Sequence, residues 1–181
     1  MTSLPHCFPS LPKSRMTKIN NIRAIGVISD THIPGRADTL PDKITQVFMS
    51  VDIIIHCGDI VSNEVLFELG VIAPIYAVRG NMDSSEIMEP AKRILEINGK
   101  YVLCISHGSG PKNGLKERVL KQFSSLNPYM ILYGHSHIAD YSEHNGIYLF
   151  NPGSATNGAD KNTAGILRVT SMGIKPEIIE I

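Results

Sequence analysis

Short apolar runs alternate with stretches of helical periodicity from residue 23 onward. The runs cover residues 24–29, 51–56 and 75–78 and are rich in isoleucine and valine, which is typical of buried strands. Between the runs, apolar residues recur at the spacing of one helical face. An alternation of strands and helices of this kind indicates an α/β fold.

Two helices are expected between these strands, and a third is expected later in the chain. Thr39 is predicted to cap the first helix, because Asp42 lies three residues further on, as in a capping box. Ser62 is predicted to cap the second helix in a similar way. The third helix is predicted over residues 113–126, where apolar residues recur on one face: Leu115, Val119, Phe123 and Leu126.

The second half of the chain is rich in predicted strands. They cover residues 101–105, 129–133, 147–150, 166–169 and 177–181, and an Asn-Gly pair at 145–146 is typical of a hairpin turn. Two sheets packed face to face, with helices outside, would accommodate this order of elements. We therefore expect an α/β fold, a four-layer αββα sandwich of two mixed sheets flanked by helices.

The first 21 residues differ from the rest of the chain. They contain several prolines, a second methionine at Met16 and little apolar periodicity. No continuous apolar stretch of the kind needed by a secretory signal occurs among them. Residues 1–21 are therefore predicted to be a flexible extension, followed by a single domain over residues 22–181.

Charge and cysteine content narrow the range of partners. Lysine plus arginine and aspartate plus glutamate number 17 each, so no overall field favours nucleic acid or an anionic membrane. The apolar runs are too short to span a bilayer. Cys7, Cys57 and Cys104 form no Cys-x-x-Cys pair, which fits a reducing cytoplasm. We expect a cytoplasmic protein with a small-molecule substrate, and homo-oligomerisation is left open.

Residues with metal-binding side chains directly follow five of the apolar runs. Neighbouring glycines would let the backbone approach an ion or a phosphate closely. Because loops at strand ends usually carry the ligands in α/β proteins, we expect these side chains to meet. The seven residues are Asp30, His32, Asp59, Asn81, His107, His135 and His137.

This set mixes oxygen and nitrogen ligands and exceeds the needs of one metal ion. Its two aspartates, one asparagine and four histidines suit manganese, iron, zinc, cobalt or nickel rather than calcium. Two divalent ions about 3.5–4 Å apart would use all seven residues if one carboxylate bridges them. Asp59 is the predicted bridge. Any one of these residues alone would be an ordinary polar residue at a strand end.

The order Asp-x-His, Gly-Asp, Gly-Asn, His and Gly-His-x-His resembles the calcineurin-like metallophosphoesterase superfamily over residues 23–181. The resemblance implies the four-layer sandwich and two divalent ions, with manganese favoured. It implies one metal bound by Asp30, His32, Asp59 and His137, and a second bound by Asp59, Asn81, His107 and His135.

Residues 80–83 and 151–154 also resemble a small bacterial and archaeal phosphodiesterase group. The resemblance implies hydrolysis of a small phosphodiester by in-line attack of a hydroxide bridging two metals. Asp59, Asn81 and His107 are the predicted catalytic residues, the last two through hydrogen bonds to the phosphate. Many relatives carry a histidine where this chain has Met82, and that histidine is thought to protonate the leaving group.

Three further residues are predicted to bind substrate. Arg36 and Arg79 lie close in sequence to the predicted ligands, and a guanidinium can pair with phosphate oxygens. A salt bridge on a loop is the alternative for each of them. Ser154 follows a strand within an Asn-Pro-Gly-Ser turn and is expected near the metals.

One stretch favours a different function. Residues 30–36 also resemble the retromer scaffold subunit, a relative with the same fold that serves as a protein-binding platform. A non-catalytic scaffold is therefore the alternative to an enzyme.

Overall fold

The computed structural model describes residues 16–181. Its strands are β1 (Met16–Ile19), β2 (Ala24–Ile28), β3 (Ile53–His56), β4 (Ile75–Ala77), β5 (Lys92–Ile97), β6 (Tyr101–Ser106), β7 (Met130–Leu132), β8 (Ala139–His144), β9 (Ile147–Pro152), β10 (Thr163–Thr170) and β11 (Gly173–Glu180). Its helices are α1 (Asp42–Phe48), α2 (Asn63–Ile72) and α3 (Leu115–Gln122).

The strands form two mixed sheets. One has six strands in the order β1-β5-β6-β7-β9-β8, and the other has five in the order β11-β10-β2-β3-β4. In the five-stranded sheet β2, β3 and β4 are parallel, whereas β10 pairs antiparallel with β2. In the six-stranded sheet β6, β7 and β9 are parallel. Loops that follow parallel strands lie at one edge of their sheet, which is where ligands collect in such folds.

The two sheets pack face to face. Val27 and Ile55 of one sheet meet Leu103, Leu132 and Phe150 of the other in a fully buried core. A second apolar cluster packs α1 and α2 against the outer face of the five-stranded sheet. A third packs α3 against the six-stranded sheet. The predicted four-layer αββα sandwich is therefore confirmed.

The folded domain begins earlier than the sequence predicted. Strand β1 pairs in parallel with β5, so that Met16 faces Ile94 and Ile19 faces Ile97. Both β1 side chains contact the apolar clusters. The predicted flexible extension over residues 1–21 is thus wrong for residues 16–19, and residues 1–15 lie outside the described part.

The helix predictions are right in number but not in every boundary. Ser62 caps α2, accepting a hydrogen bond from the Glu64 N–H. Thr39 does not cap α1, which begins after Pro41, because a residue that precedes proline is disfavoured in the helical conformation. Helix α3 ends at Gln122 rather than near residue 126. None of the helices within residues 16–181 is long and apolar enough to cross a membrane.

Candidate metal centre

All seven predicted metal ligands lie in loops that follow parallel strands. Asp30 and His32 come after β2, Asp59 after β3 and Asn81 after β4. On the other sheet His107 follows β6, and His135 and His137 follow β7. Both sheets therefore contribute side chains to one end of the sandwich.

Backbone hydrogen bonds join the loops after β2 and β3. The Asp30 N–H donates to the Gly58 carbonyl and the His32 N–H to the Asp59 carbonyl, both at 3.0 Å. An isolated parallel bridge between Ile33 and Val61 continues the pairing. These bonds fix the two carboxylates relative to each other.

Five of the ligands converge into two groups. Asp30, His32 and His137 form one group, and Asp30, Asp59 and His107 form the other. Asp30 Oδ1 lies 3.2 Å from His137 Nε2 and 3.9 Å from His107 Nε2. Asp59 Oδ2 lies 3.3 Å from His107 Nε2 and 3.6 Å from His32 Nε2. Spacings of this kind can accommodate metal ions between the ligand atoms.

Hydrogen bonds to carbonyl oxygens fix the tautomers of two imidazoles. Nδ1 of His107 lies 2.8 Å from the Cys57 carbonyl, and Nδ1 of His137 lies 2.9 Å from the Asn157 carbonyl. A carbonyl oxygen only accepts, so Nδ1 carries the proton and Nε2 of the neutral ring presents a lone pair. His107 Nε2 is buried and has no hydrogen-bond partner within residues 16–181. An unpartnered lone pair among carboxylates fits a metal ligand.

The remaining two ligands, Asn81 and His135, lie side by side. Nε2 of His135 donates to the Gly110 carbonyl at 2.7 Å, which leaves Nδ1 facing the Asn81 side-chain oxygen at 2.9 Å. The His135 ring packs edge-on against His107, with centroids 5.2 Å apart. Two acceptors that face each other favour a cation beside them, and the assignment of this pair to the second metal stays a prediction.

Each carboxylate is held by hydrogen bonds mainly on one oxygen, and the His135 N–H also lies 3.3 Å from Asp30 Oδ1. Asp30 Oδ2 accepts from the Ser29 hydroxyl at 2.6 Å and the His135 N–H at 3.1 Å. Asp59 Oδ1 accepts from the Met82 N–H at 2.8 Å. The other oxygen of each carboxylate faces the imidazoles. Asp30 belongs to both groups, and the bridging role assigned to Asp59 stays a prediction.

The charges within the site shift several pKa values. Burial acts to lower the pKa of His107, but the neighbouring Asp59 carboxylate and the charge of Asp30 raise it overall. The neighbouring Asp30 carboxylate raises the pKa of His137. Burial dominates at His32 and lowers its pKa. At Asp59, burial opposes ionisation, but His107, the Met82 N–H and His32 together outweigh it, so the pKa is lowered.

The backbone is strained at most of the ligands. Asp30, His32, Asp59, His135 and His137 have φ values of 53°, 46°, 55°, 69° and 59°. Residues with side chains rarely adopt this left-handed conformation, which costs of order 1–3 kcal/mol each and clusters at functional sites. These conformations thus lower the free energy of unfolding while they orient the five side chains.

Two glycines allow the loops to approach each other. A Cβ at Gly80 would collide with the Asp59 carboxylate, and one at Gly134 would collide with the Ser29 hydroxyl. Neither collision is with the far end of a flexible side chain. Glycine is therefore required at both positions.

His56 supports the site without being a predicted ligand. It is fully buried, and burial lowers its pKa to about 3. Its Nδ1 accepts from the Gly58 N–H at 3.1 Å, so Nε2–H faces the Thr31 hydroxyl at 3.1 Å. This neutral ring joins the loops after β2 and β3.

Asp83 braces the loop after β4, a role that the sequence did not predict. Its carboxylate accepts from the N–H groups of Val61 and Gly80, both at 2.7 Å. Met82, between Asn81 and Asp83, is 60% exposed. An aspartate two residues after a ligand was the only signal in the sequence for this brace.

The predicted substrate-binding residues have different surroundings. Arg36 and Arg79 are exposed. Within residues 16–181 neither guanidinium forms a hydrogen bond or a salt bridge. Their role in binding substrate therefore stays a prediction. Ser154 is fully buried. Its hydroxyl donates to the Asp30 carbonyl at 2.7 Å and accepts from the Asn157 N–H at 2.9 Å. Ser154 therefore supports the Asp30 loop from the protein interior, which corrects its assignment as a substrate-binding residue.

Comparison with known proteins finds relatives that are similar over most of this chain. A probable metallophosphoesterase of Methanothermobacter thermautotrophicus is 38% identical over 133 residues, covering 73% of this chain and 77% of that protein. One from Methanocaldococcus jannaschii is 42% identical over 135 residues, covering 73% and 68%. The crystal structure of Chaetomium thermophilum Vps29 is similar in fold, with a TM-score of 0.73 at 19% identity and coverage of 88% and 97%.

The family follows from the extent of the match. Residues 24–172 match the calcineurin-like phosphoesterase superfamily domain. This range includes every predicted metal ligand and most of both sheets. The chain belongs to the calcineurin-like phosphoesterase superfamily.

Proposed function

We propose that this phosphoesterase is a phosphodiesterase that works with two divalent metal ions. The observation that carries the proposal is the convergence of acceptor atoms, above all the buried and unpartnered His107 Nε2 beside two carboxylates. Seven mixed oxygen and nitrogen ligands suit manganese, iron, zinc, nickel or cobalt, and the family resemblance favours manganese among them.

Each ion has its own set of ligands in this proposal. Asp30, His32 and His137 would hold one ion, and Asp59 and His107, with Asp30 shared, would hold the other. Asn81 and His135 complete the second set. When bound, such ions supply Lewis-acid activation of water and neutralise charge on a phosphate.

The chain's own residues position the reaction. The Ser29 hydroxyl and the N–H groups of His135 and Met82 hold the carboxylates in place before substrate arrives. The amide of Asn81, which is exposed beside the site, can donate to a phosphoryl oxygen. Preorganised donors of this kind lower the barrier because they need no reorganisation during the reaction.

Two small cavities support a diester rather than a monoester. They open on either side of Ile138, the residue after His137, with volumes of about 170 Å³ and 200 Å³. A phosphodiester has two substituents to place, whereas a monoester has one. Two separate spaces that share Ile138 in their walls, one of them also lined by His137, therefore favour the diester.

The test combines metal content with turnover of bis(4-nitrophenyl) phosphate under added manganese. Asp30→Asn and Asp59→Asn should each bind less metal and lose about 100-fold or more of kcat, because each removes a carboxylate that faces the imidazoles. Asp42→Asn, at an exposed position in α1, is the matched control and should behave as the wild type.

The outcomes separate the alternatives. Turnover by the wild type that survives in both variants would overturn the proposed site. Metal binding without turnover of any diester would favour the non-catalytic scaffold instead. Turnover of 4-nitrophenyl phosphate but not of the diester would point to a phosphomonoesterase.

A further inference from the structure

The cavity on the side of Ile138 nearer to α3 has a distinct chemical character. Leu115 and Ile138 supply apolar walls, and the Tyr133 hydroxyl donates to Asp140 at 3.1 Å along it. Two lysines, Lys112 and Lys116, also line the cavity. Its lining thus combines apolar side chains with two lysines and one carboxylate, that of Asp140.

Only one of the two lysines has its charge neutralised. Lys116 Nζ lies 2.8 Å from Asp140 Oδ1 and 3.0 Å from the Ser142 hydroxyl. Lys112 is exposed, and its ammonium has no carboxylate or hydrogen-bond acceptor among the contacts found in residues 16–181. The cavity therefore has one cation able to pair with a ligand.

Lys112 lies next to the candidate metal centre. It follows His107 by five residues, in the loop whose Gly110 carbonyl binds His135. Ser136, between two predicted ligands, lines the same cavity. A substituent on a phosphate held at the metals can therefore extend toward Lys112.

The volume limits what this space can hold. A cavity of about 150 Å³ accommodates one benzene ring, and this one measures about 170 Å³. A single ring or a pentose fits within this volume. The size therefore favours a substituent with one ring in the cavity.

The second cavity differs in charge. It is lined by His137, Ala159, Asp160 and Lys161. Lys161 pairs with Glu180, so its ammonium is already neutralised. Asp160, on the same wall, disfavours an anion there. The two sides of Ile138 thus discriminate between substituents by charge.

We propose that the cavity beside Lys112 binds one substituent of the phosphodiester, and that this substituent is a single ring carrying an anionic group paired with the Lys112 ammonium. The proposal rests on the proposed function and names its substrate class. Such a substrate would be a phosphodiester with two different ester groups. One is an alcohol or phenol, and the other is a small ring that carries a carboxylate or a second phosphate.

The experiment compares two diesters that differ by one carboxylate, 4-nitrophenyl phenyl phosphate and 4-nitrophenyl 3-carboxyphenyl phosphate. With manganese, the wild type should have a KM about 2- to 5-fold lower for the carboxylated diester, as expected for one partly exposed ion pair. Lys112→Met should abolish this preference and Lys112→Arg should retain it. Lys121→Met, at an exposed position of α3, should leave both the preference and the basal activity unchanged.

A binding measurement keeps the test independent of turnover. In metal-free protein with chelator present, the carboxylated diester should shift the backbone amide NMR signals of Ser136 and Ile138 more than its uncharged analogue does. Lys112→Met should remove that difference. Equal KM values together with equal shifts would overturn the cavity assignment. Absence of turnover of both diesters, with the shifts as expected, would overturn the proposed function and not the binding site.

Discussion

At the metal centre, several side chains bind the protein with one polar atom and present another to the gap between the loops. Asp30 and Asp59 each have one oxygen occupied by protein donors. His107 and His137 have Nδ1 occupied by carbonyl oxygens. The ligand atoms are thereby oriented before any ion arrives, as outer hydrogen bonds orient ligands in known metal sites.

The absence of a proton donor at Met82 leads to a specific prediction about the leaving group. The residue is exposed beside Asn81 and cannot donate a proton. Asp83 cannot easily replace it, since its carboxylate already accepts two backbone N–H groups. Turnover should therefore fall steeply as the leaving group becomes more basic, and Met82→His should make the dependence shallower. On alkyl diesters the variant should gain about tenfold, below the 100-fold to 10,000-fold typical of an evolved acid.

A series of diesters with graded leaving-group pKa, assayed at saturating metal, measures this effect. Met88→His is the control, because Met88 is 89% exposed and lies six residues further along the chain. A flat wild-type series that neither variant changes would show that protonation is supplied elsewhere or does not limit the rate.

The sequence predicted the types of ligand better than their supports. Aspartate, asparagine and histidine after successive strands are visible as a pattern, because strand ends are marked by apolar runs. The partners that orient them are mostly backbone groups, such as the carbonyls of Cys57 and Asn157. Backbone partners leave no trace in residue type. Ser154 was misassigned for the same reason, since its buried contact is to a backbone carbonyl.

At the level of elements, apolar spacing reports burial more directly than backbone conformation. Phe123 and Leu126 pack against α3 and the six-stranded sheet as predicted, although the helix has ended at Gln122. Strand β5 was not predicted, and its first residue is exposed and charged. Strand β1 was also missed, because an edge strand of four half-buried or exposed residues has little apolar signal.

Strand β1 provides a test by truncation. A chain that starts at Met16 keeps the strand, whereas one that starts at Asn21 loses its pairing with β5 and the contacts of Met16 and Ile19. Removing two partly buried apolar side chains should lower the free energy of unfolding by about 2 kcal/mol. Urea unfolding of the two truncated proteins measures the difference. Equal midpoints and slopes would show that β1 contributes nothing to stability.

At the scale of the whole molecule, the candidate centre joins the two sheets. Its ligands come from the loops of both, so an ion bound by all of them would be bound only by the folded state. A ligand that binds only the folded state stabilises it by about 2.7 kcal/mol at 100 times its Kd. Manganese at about 100 times its Kd should therefore raise the free energy of unfolding by about this amount. Asp30→Asn should lose most of the increase and Asp42→Asn should keep it.

The increase in the free energy of unfolding that manganese causes should depend on pH, in a direction set by the histidines. In the metal-free protein the pKa values of His107 and His137 are raised by their carboxylate neighbours. Their protonation thus stabilises the metal-free fold below the unfolded pKa of about 6.5 and ceases to do so as pH rises through the raised values. Metal needs the neutral rings, so acidification through roughly pH 7 to 6 should weaken metal binding and reduce the metal-induced increase in the free energy of unfolding.

Thermal or urea unfolding at pH 7.5 and 6.0, with and without manganese, measures this pH dependence. Raising the manganese concentration at pH 6.0 should restore the increase, and an increase that is the same at both pH values would exclude histidine ligands.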